Sequence, residues 1–246
     1  IIPILIIRKS MKDENSLKAN GGLKAIKGFK YPDIELVRWF FKSNLSELAH
    51  KKVLELGSHN GNNLSLFAGY DYECIGTELD EENVQNAKFN FDKVFGYKNF
   101  KFFQADMRAF AAQHKGIEAS VLLVPNVINY ISKDDCRQML SNLRKNHLYR
   151  YENGEFSHFF VRARSVKDYR YGKGKMVGNH SFILENDEFS GEKGLFCACY
   201  QQFELVRLLQ DELNLFDFEV LESENLNSKA NVFIKDSDII VYGKIK

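Results

Sequence analysis

One stretch decides the fold, and it runs Lys51-Lys52-Val53-Leu54-Glu55-Leu56-Gly57-Ser58-His59-Asn60-Gly61-Asn62-Asn63-Leu64. The apolar run 53–56 predicts a short buried strand, which two glycines four residues apart then break. The apolar residues from Leu64 onward have the spacing of a helix. Glycine suits the turn between them because it permits a sharp bend and lets a ligand approach bare backbone. The alternative is a tight connection in an α/β protein that binds no ligand there.

Strands and helices alternate downstream of this stretch. We predict further strands at 72–80, 100–103, 120–124 and 156–161, and helices at 81–95, from 134 onward and at 203–213. The last two strands, 216–221 and 238–245, are too close for a parallel crossover and are predicted to form a hairpin. The predicted fold class is therefore α/β: a Rossmann-like doubly wound sheet, mostly parallel, with an antiparallel C-terminal hairpin and an N-terminal helical extension.

The composition limits the kind of protein. With 246 residues, 44% of them hydrophobic and 27% charged, the chain has enough apolar material for a packed core. A formal net charge of +1 argues against blanket attraction to nucleic acid or to an anionic membrane. The cysteines contain no CxxC pair, which argues against a metal site or a disulfide framework and favours a cytoplasmic location. They are Cys74, Cys136, Cys197 and Cys199.

The amino terminus is predicted to be an extension, residues 1–48, ahead of a main domain at 49–246. Its first seven residues are apolar but include Pro3, and a bilayer span needs about 20. They do not resemble a secretory signal either, and Met11 is a candidate for the true start. An amphipathic helix is predicted from Ile34 to about Leu48, where it could cover the glycine turn or simply pack over a sheet edge.

Three predicted strand ends carry groups that suit a nucleoside-like ligand. In open parallel sheets ligands bind beyond the carboxyl ends of the strands. The glycine turn ends the first strand, Glu78 ends the second and could accept ribose hydroxyls, and Asp106 ends the third. Asp106 could accept a hydrogen bond from the exocyclic amine of an adenine, with Met107 packed against the adenine ring. Each acid alone is as well explained by a solvated loop, so their joint spacing carries the prediction.

From Lys51 to Lys246 the chain resembles the class I S-adenosylmethionine-dependent methyltransferases. The resemblance rests on the segment 55–61, on Gly76-Thr77-Glu78, on Ala105-Asp106 and on the final hairpin. It implies that Gly57 and Gly61 border the methionine part of the cofactor and that Glu55 steadies the loop. It also implies that Glu78 holds the ribose and Asp106 the adenine amine. The rest of the implied cofactor-binding set is Ser58, His59, Asn62, Leu79, Met107, Pro125 and Asn126.

The chain departs from the family at His59, where the family usually has a glycine. We expect the His59 side chain to point outward, to solvent or to the methionine carboxylate. A nicotinamide dehydrogenase is the main rival, since it shares a glycine turn and a ribose acid. Its GxGxxG motif is absent here, and the predicted terminal hairpin also favours the methyltransferase.

Methyl transfer needs alignment of two reactants, and a base only where the acceptor must lose a proton. The candidate catalytic residues are Asn129 and Tyr130 after the fourth strand, Tyr31 before the predicted helix, and His180. Histidine is the residue whose ordinary pKa lies near neutrality. A lone loop histidine is also a common surface residue.

A predicted insertion at 162–190 opens with an excess of positive charge. Its basic and aromatic residues would suit a phosphate or carboxylate on the acceptor, and the substrate-binding candidates are Arg162, Arg164, Arg170, Tyr171 and Lys173. A solvated surface loop explains the same residues equally well. The sequence therefore predicts methyl transfer to nitrogen or oxygen of a small polar, anionic metabolite. An RNA or protein methyltransferase and a non-catalytic cofactor-binding protein are the alternatives.

Overall fold

The computed structural model describes residues 22–185, 189–229 and 231–246. The predictions for the apolar N-terminal run and for Met11 lie outside these residues. The strands are β1 Lys52–Leu56, β2 Glu73–Glu78, β3 Phe100–Gln104, β4 Val121–Pro125, β5 Ser157–Arg164, β6 Gly174–Gly178, β7 Ser181–Leu184, β8 Phe196–Ala198, β9 Phe216–Lys229 and β10 Val232–Ile245. The α-helices are α1 Ile34–Lys42, α2 Asn62–Ala68, α3 Glu81–Phe89, α4 Met107–Gln113, α5 Lys133–Lys145 and α6 Gln202–Leu213.

Seven strands form one sheet in the order β3-β2-β1-β4-β5-β10-β9. β1 pairs with β4, β4 with β5 and β2 with β3, all in parallel. β10 runs antiparallel to both of its neighbours, β5 and β9. Strand order reverses at β1, the strand that leads into the glycine turn. The predicted doubly wound, mostly parallel sheet with an antiparallel C-terminal hairpin is confirmed.

Several predicted boundaries were wrong. The helix expected to reach Leu48 ends at Lys42, because Asn44 adopts a left-handed backbone (φ 51°) and a short 3-10 turn, Leu45–Glu47, follows. α4 was not predicted. The polar stretch between the last two predicted strands is itself extended, so β9 and β10 have 14 residues each.

The predicted insertion contains a second sheet that the sequence did not indicate. It is antiparallel, in the order β6-β7-β8, and its last strand ends at Ala198, beyond the predicted limit at residue 190. Leu184, Cys197 and Cys199 form its small buried core, against which Val166 packs. The segment expected to behave as a polar loop therefore has apolar packing of its own.

The chain packs as two compact units whose segments interleave in sequence, and the predicted division at residue 48 stays a prediction. The first unit contains the described residues up to Ala49 together with Ser58–Ala105. Its core is aromatic: Phe40 packs edge-on against Phe67 at 5.0 Å between ring centroids, and Phe67 against Tyr72 at 5.2 Å. α1 joins this core through Leu36, Trp39 and Phe40, after the Asp33 side chain caps its first turn.

The second unit contains His50–Gly57 and Asp106–Lys246. β1, β4 and β5 supply a continuous buried layer, as expected of parallel strands covered on both faces. Its fully buried residues include Val53, Leu54, Leu122, Leu123, Phe159 and Phe160. Among the residues described, none of the helices has the length and apolar character that crossing a bilayer requires.

Candidate functional site

The glycine turn after β1 uses three left-handed residues in five positions. Gly57, His59 and Gly61 have φ angles of 68°, 45° and 78°. L-residues rarely adopt such angles and glycine adopts them freely, so His59 takes a backbone conformation typical of glycine. The turn therefore has a glycine-like backbone at the histidine as well as at the two glycines.

Within the first unit, Glu78 binds the glycine turn directly. The His59 N–H donates to Glu78 Oε2 at 2.9 Å, and the Ser58 N–H donates to the Thr77 carbonyl at 2.9 Å. Glu78 Oε1 accepts from the N–H groups of Leu79 (2.8 Å) and Asp80 (3.0 Å). A carboxylate has about four acceptor positions, so three are used and about one is left for a ligand hydroxyl.

Asparagines tie residues 27–33, here called the strap, to the glycine turn. Asn60 Nδ2 donates to the carbonyls of Lys27 (2.6 Å) and Phe29 (2.9 Å). Asn62 Nδ2 donates to the Tyr31 carbonyl at 3.1 Å. Asn60 was not predicted to belong to the site, although three of residues 58–63 are asparagine and asparagine side chains commonly bond to backbone groups in turns.

His59 does not simply point outward. Its ring packs against Phe29 of the strap, with centroids 4.7 Å apart and planes tilted by 33°, and its Nδ1 lies 2.8 Å from Asn60 Oδ1. Within the same unit Ser58 is 1% exposed, and its hydroxyl lies where a side chain on Gly76 would be. Ser58 is therefore packed against β2, which weighs against its predicted cofactor contact.

In the second unit, Gly57 meets the end of β4. A Cβ on Gly57 would lie 2.1 Å from Val127 Cγ1 and 3.2 Å from its Cβ. Asn126 follows the buried Pro125, is exposed, and has a left-handed backbone (φ 57°). Gly57 therefore packs against the residue that follows Asn126, and the joint role of Gly57, Pro125 and Asn126 in cofactor binding stays a prediction.

Asp106 is already engaged by neighbouring donors. Its carboxylate accepts a hydrogen bond from the backbone N–H of Arg108 at 2.8 Å, and this bond caps the first turn of α4. It also accepts from the Arg108 guanidinium at 2.6–3.2 Å. The Arg108 guanidinium holds the pKa of Asp106 below its usual range. An adenine amine would have to share this carboxylate with Arg108.

The predicted excess of positive charge is offset by distant carboxylates, which corrects the charge count made from the sequence. Arg162 donates to Asp238 at 2.7 and 2.9 Å. Arg164 and Arg170 share Glu192, and Arg170 also contacts Asp168 at 3.0 Å. Binding of a substrate anion by the arginines stays a prediction, and these ion pairs weigh against it.

Two of the catalytic candidates are engaged in the second unit. The Asn129 side chain is buried, and its Oδ1 accepts from the Arg164 N–H at 2.8 Å. Tyr130 is partly exposed as a residue, but its hydroxyl donates to Glu192 at 3.1 Å, and partial burial together with the charge of Glu192 raises the pKa of Tyr130. A raised pKa keeps a phenol protonated at neutral pH, so Tyr130 is suited to donate and not to act as a base.

The other catalytic and substrate candidates are more exposed. His180 lies in the turn between β6 and β7, and its Nδ1 is 2.8 Å from the Tyr171 hydroxyl. Tyr31 is 66% exposed in the first unit, and Lys173 is exposed in the second. Of the remaining cofactor candidates, Glu55 is buried in β1, Met107 begins α4, and Leu79 is 67% exposed. In the described part of the chain, no three His, Cys, Asp or Glu side chains are grouped to hold a metal.

Comparison with known proteins finds no matching family model and no matching curated protein. Solved structures do match. A SAM-dependent methyltransferase from Methanosarcina mazei has a TM-score of 0.58 and 13% identity, covering 82% of this chain and 96% of its own. Magnesium protoporphyrin IX methyltransferase from Synechocystis PCC 6803, with SAM bound, has a TM-score of 0.52 and 14% identity, over 85% and 76%. The N-terminal domain of EvdMO1, with SAH bound, has a TM-score of 0.58 and 16% identity, over 87% and 83%.

The chain has the class I SAM-dependent methyltransferase fold. The methyltransferase fold confirms the architecture that the resemblance implied, including an antiparallel strand, β10, between β5 and the edge strand β9. This strand also favours the methyltransferase fold over that of the nicotinamide dehydrogenases. At 12–16% identity the likeness establishes the fold alone.

Proposed function

We propose that this chain is a SAM-dependent methyltransferase that methylates nitrogen or oxygen of a small polar metabolite. One observation carries the proposal: the carboxylate that ends β2 accepts a hydrogen bond from the glycine turn, at His59, over 2.9 Å. This contact fixes a ribose-binding acid against the loop that borders a cofactor. The contact distinguishes Glu78 from a solvated loop acid.

The residues of the first unit suit this cofactor. Glu78 keeps about one acceptor position, which a ribose hydroxyl can fill. The turn from Ser58 to Gly61 keeps the left-handed geometry that the family obtains with glycine. In the second unit, we propose cofactor contacts for Gly57, Asp106 and Met107 because the sequence resembles that of the family.

Catalysis here is mainly positioning. The cofactor supplies a methyl group on a positively charged sulfur, and holding an acceptor in line can contribute up to about 7–11 kcal/mol. Asn129 accepts a hydrogen bond from the Arg164 N–H at the end of β5, and its proposed role is to support the backbone there. The single O–H of Tyr130 donates to Glu192, and Tyr130 is proposed to redirect this hydrogen bond to the acceptor and so orient it. Tyr31 and His180 remain the proposed bases.

The acceptor is proposed to be a small molecule. An anionic group on it would depend on Lys173 and Tyr171, because the three arginines already pair with carboxylates. The same pairing leaves less basic surface for RNA than the sequence indicated. A non-catalytic cofactor-binding role is the alternative, and the glycine-like backbone of His59 supports a turn that the histidine has not altered.

We also propose a cytoplasmic location. All four cysteines are buried free thiols. Cys197 and Cys199 lie close together, with their sulfurs 3.8 Å apart, yet they are not joined. Free thiols at this distance suit a reducing compartment.

The test is calorimetry of the purified chain with SAM, with SAH and with nicotinamide dinucleotides. We expect SAM and SAH to bind with micromolar dissociation constants and the nicotinamide dinucleotides to bind far more weakly. Failure of both SAM and SAH to bind the folded chain would contradict the proposal. Tighter binding of a nicotinamide dinucleotide would also contradict it.

A further inference from the structure

The side-chain amide of Asn60 has hydrogen-bond partners on both its nitrogen and its oxygen, and these partners determine how the amide is oriented. Both of its N–H groups donate to carbonyl oxygens, those of Lys27 and Phe29, which can only accept. The reversed amide would place its oxygen against two other oxygens. Asn60 Oδ1 therefore faces His59 Nδ1 at 2.8 Å as an acceptor.

An acceptor opposite Nδ1 requires a proton on that nitrogen. A neutral imidazole carries one N–H, so the Nε2 of His59 has a free lone pair. Nε2 makes no hydrogen bond to any residue that the structure describes, whereas Nδ1 and the backbone N–H of His59 are both engaged. Packing against Phe29 limits rotation of the ring. The ring is thus oriented by Asn60 and Phe29, with its basic nitrogen unused.

We propose that Asn60 is a positioning residue that holds His59 in its Nδ1–H tautomer, and that His59 Nε2 accepts a hydrogen bond from the α-ammonium of the cofactor. This inference rests on the proposed function. SAM and SAH carry three kinds of hydrogen-bond donor: the adenine amine, the ribose hydroxyls and the α-ammonium. The proposed function assigns the first two to Asp106 and Glu78, which leaves the ammonium for the glycine turn.

His59, which stands where the family usually has a glycine, would thereby contribute to the choice of ligand. A bare imidazole nitrogen facing a cationic donor makes a charge-assisted bond, which is stronger than a neutral one. A ligand without the amino group would leave Nε2 unpaired. The residue that departs from the family pattern is predicted to favour ligands with an intact amino acid end.

The tautomer is tested by two-bond ¹H–¹⁵N correlation spectra of the free chain in mildly alkaline solution. We expect the His59 signals of a protonated Nδ1 and an unprotonated Nε2. Asn60→Ala should shift His59 toward the Nε2–H form that free histidine prefers. Asn90→Ala is the matched control. Asn90 also holds the strap, since it donates to the Lys27 carbonyl and accepts from the Lys27 N–H, both at 2.9 Å. Its bond to Asn60 is to the backbone carbonyl, at 3.2 Å, and not to the side chain that faces the His59 ring. An Nε2–H tautomer in the unaltered chain would overturn the inference.

The contact is tested by calorimetry with SAH and with its deaminated analogue, which lacks only the amino group. His59→Gly suits the left-handed backbone and should weaken SAH binding by about tenfold or more, while changing binding of the analogue less than about twofold. Equal losses for the two ligands would overturn the inference and leave the proposed function intact. If neither SAM nor SAH binds the unaltered chain, the proposed function and the cofactor contact of His59 are both wrong, and the spectra show separately whether the tautomer is correct.

Discussion

Arg164→Met is expected to lower the free energy of unfolding by about 3–5 kcal/mol, the cost of removing one partner from a buried ion pair. Arg164 is 6% exposed and donates to Glu192 at 3.1 Å and to the Cys197 sulfur at 3.1 Å. Its guanidinium is also 3.9 Å from Asp168, which is 4% exposed. The substitution leaves the carboxylates of Glu192 and Asp168 poorly solvated and with one fewer cation nearby. Urea denaturation monitored by circular dichroism measures the change.

Lys167→Met is the matched control for this prediction. Lys167 follows Arg164 by three residues and pairs with Glu222, but its side chain is 48% exposed. Exposed pairs contribute at most about 1 kcal/mol, so this variant should remain close to the unaltered chain. Adding Glu192→Gln to Arg164→Met should recover part of the loss. Equal stabilities of the Arg164 and Lys167 variants would show that the buried cluster is not an important contributor.

Gly57→Ala is expected to cost about 2–5 kcal/mol of unfolding free energy. About 1–2 kcal/mol comes from the left-handed backbone at φ 68°, and about 1–3 kcal/mol from overpacking. The added methyl carbon would lie 2.1 Å from Val127 Cγ1, and rotating Val127 does not remove the 3.2 Å approach of its Cβ. The stability of Gly57→Ala, again from urea denaturation, is the measurement.

Gly96→Ala separates the two contributions. Gly96 has a similar φ of 76°, but a Cβ there would meet nothing within 4 Å. It should therefore cost only the backbone term of about 1–2 kcal/mol. Val127→Ala added to Gly57→Ala should recover much of the packing cost. If the two glycine variants were equally stable, close packing at Gly57 would be excluded as the reason for its presence.

Local rules explain what the sequence predicted well. The strand, glycine turn and helix at 52–68 follow from apolar spacing and from glycines that later proved to have positive φ angles. The C-terminal hairpin followed from the short connection between its strands. Both depend on residues that are neighbours in sequence, where propensity and turn chemistry act directly.

Features that depend on distant residues were not predictable in this way. The three-stranded sheet β6-β7-β8 is built from short strands with little apolar alternation, and pairing between them gives them their structure. The sequence predicted an excess of positive charge because Glu192, Asp236 and Asp238 follow the arginines by more than 20 residues. Tertiary folding brings these carboxylates within 3.3 Å of the guanidinium groups.

The same distinction applies within the candidate site. The positions of Glu78 and the glycine turn followed from strand ends, which a parallel sheet collects on one edge. Asn60 was missed because its partners, Lys27 and Phe29, are about 30 residues away. The orientation of His59 could not be predicted without that contact.

Glu78 is proposed to receive the ribose of the cofactor, and a comparison of two ligands with two proteins tests this contact most directly. The ligands are SAH and an analogue that lacks both ribose hydroxyls, and the proteins are the unaltered chain and Glu78→Gln. We predict that Glu78→Gln weakens SAH binding by about 1.5–3 kcal/mol, the range for hydrogen bonds to a charged group. The analogue should bind both proteins equally. An unchanged affinity of the folded Glu78→Gln variant for SAH, or the same loss for both ligands, would contradict the account.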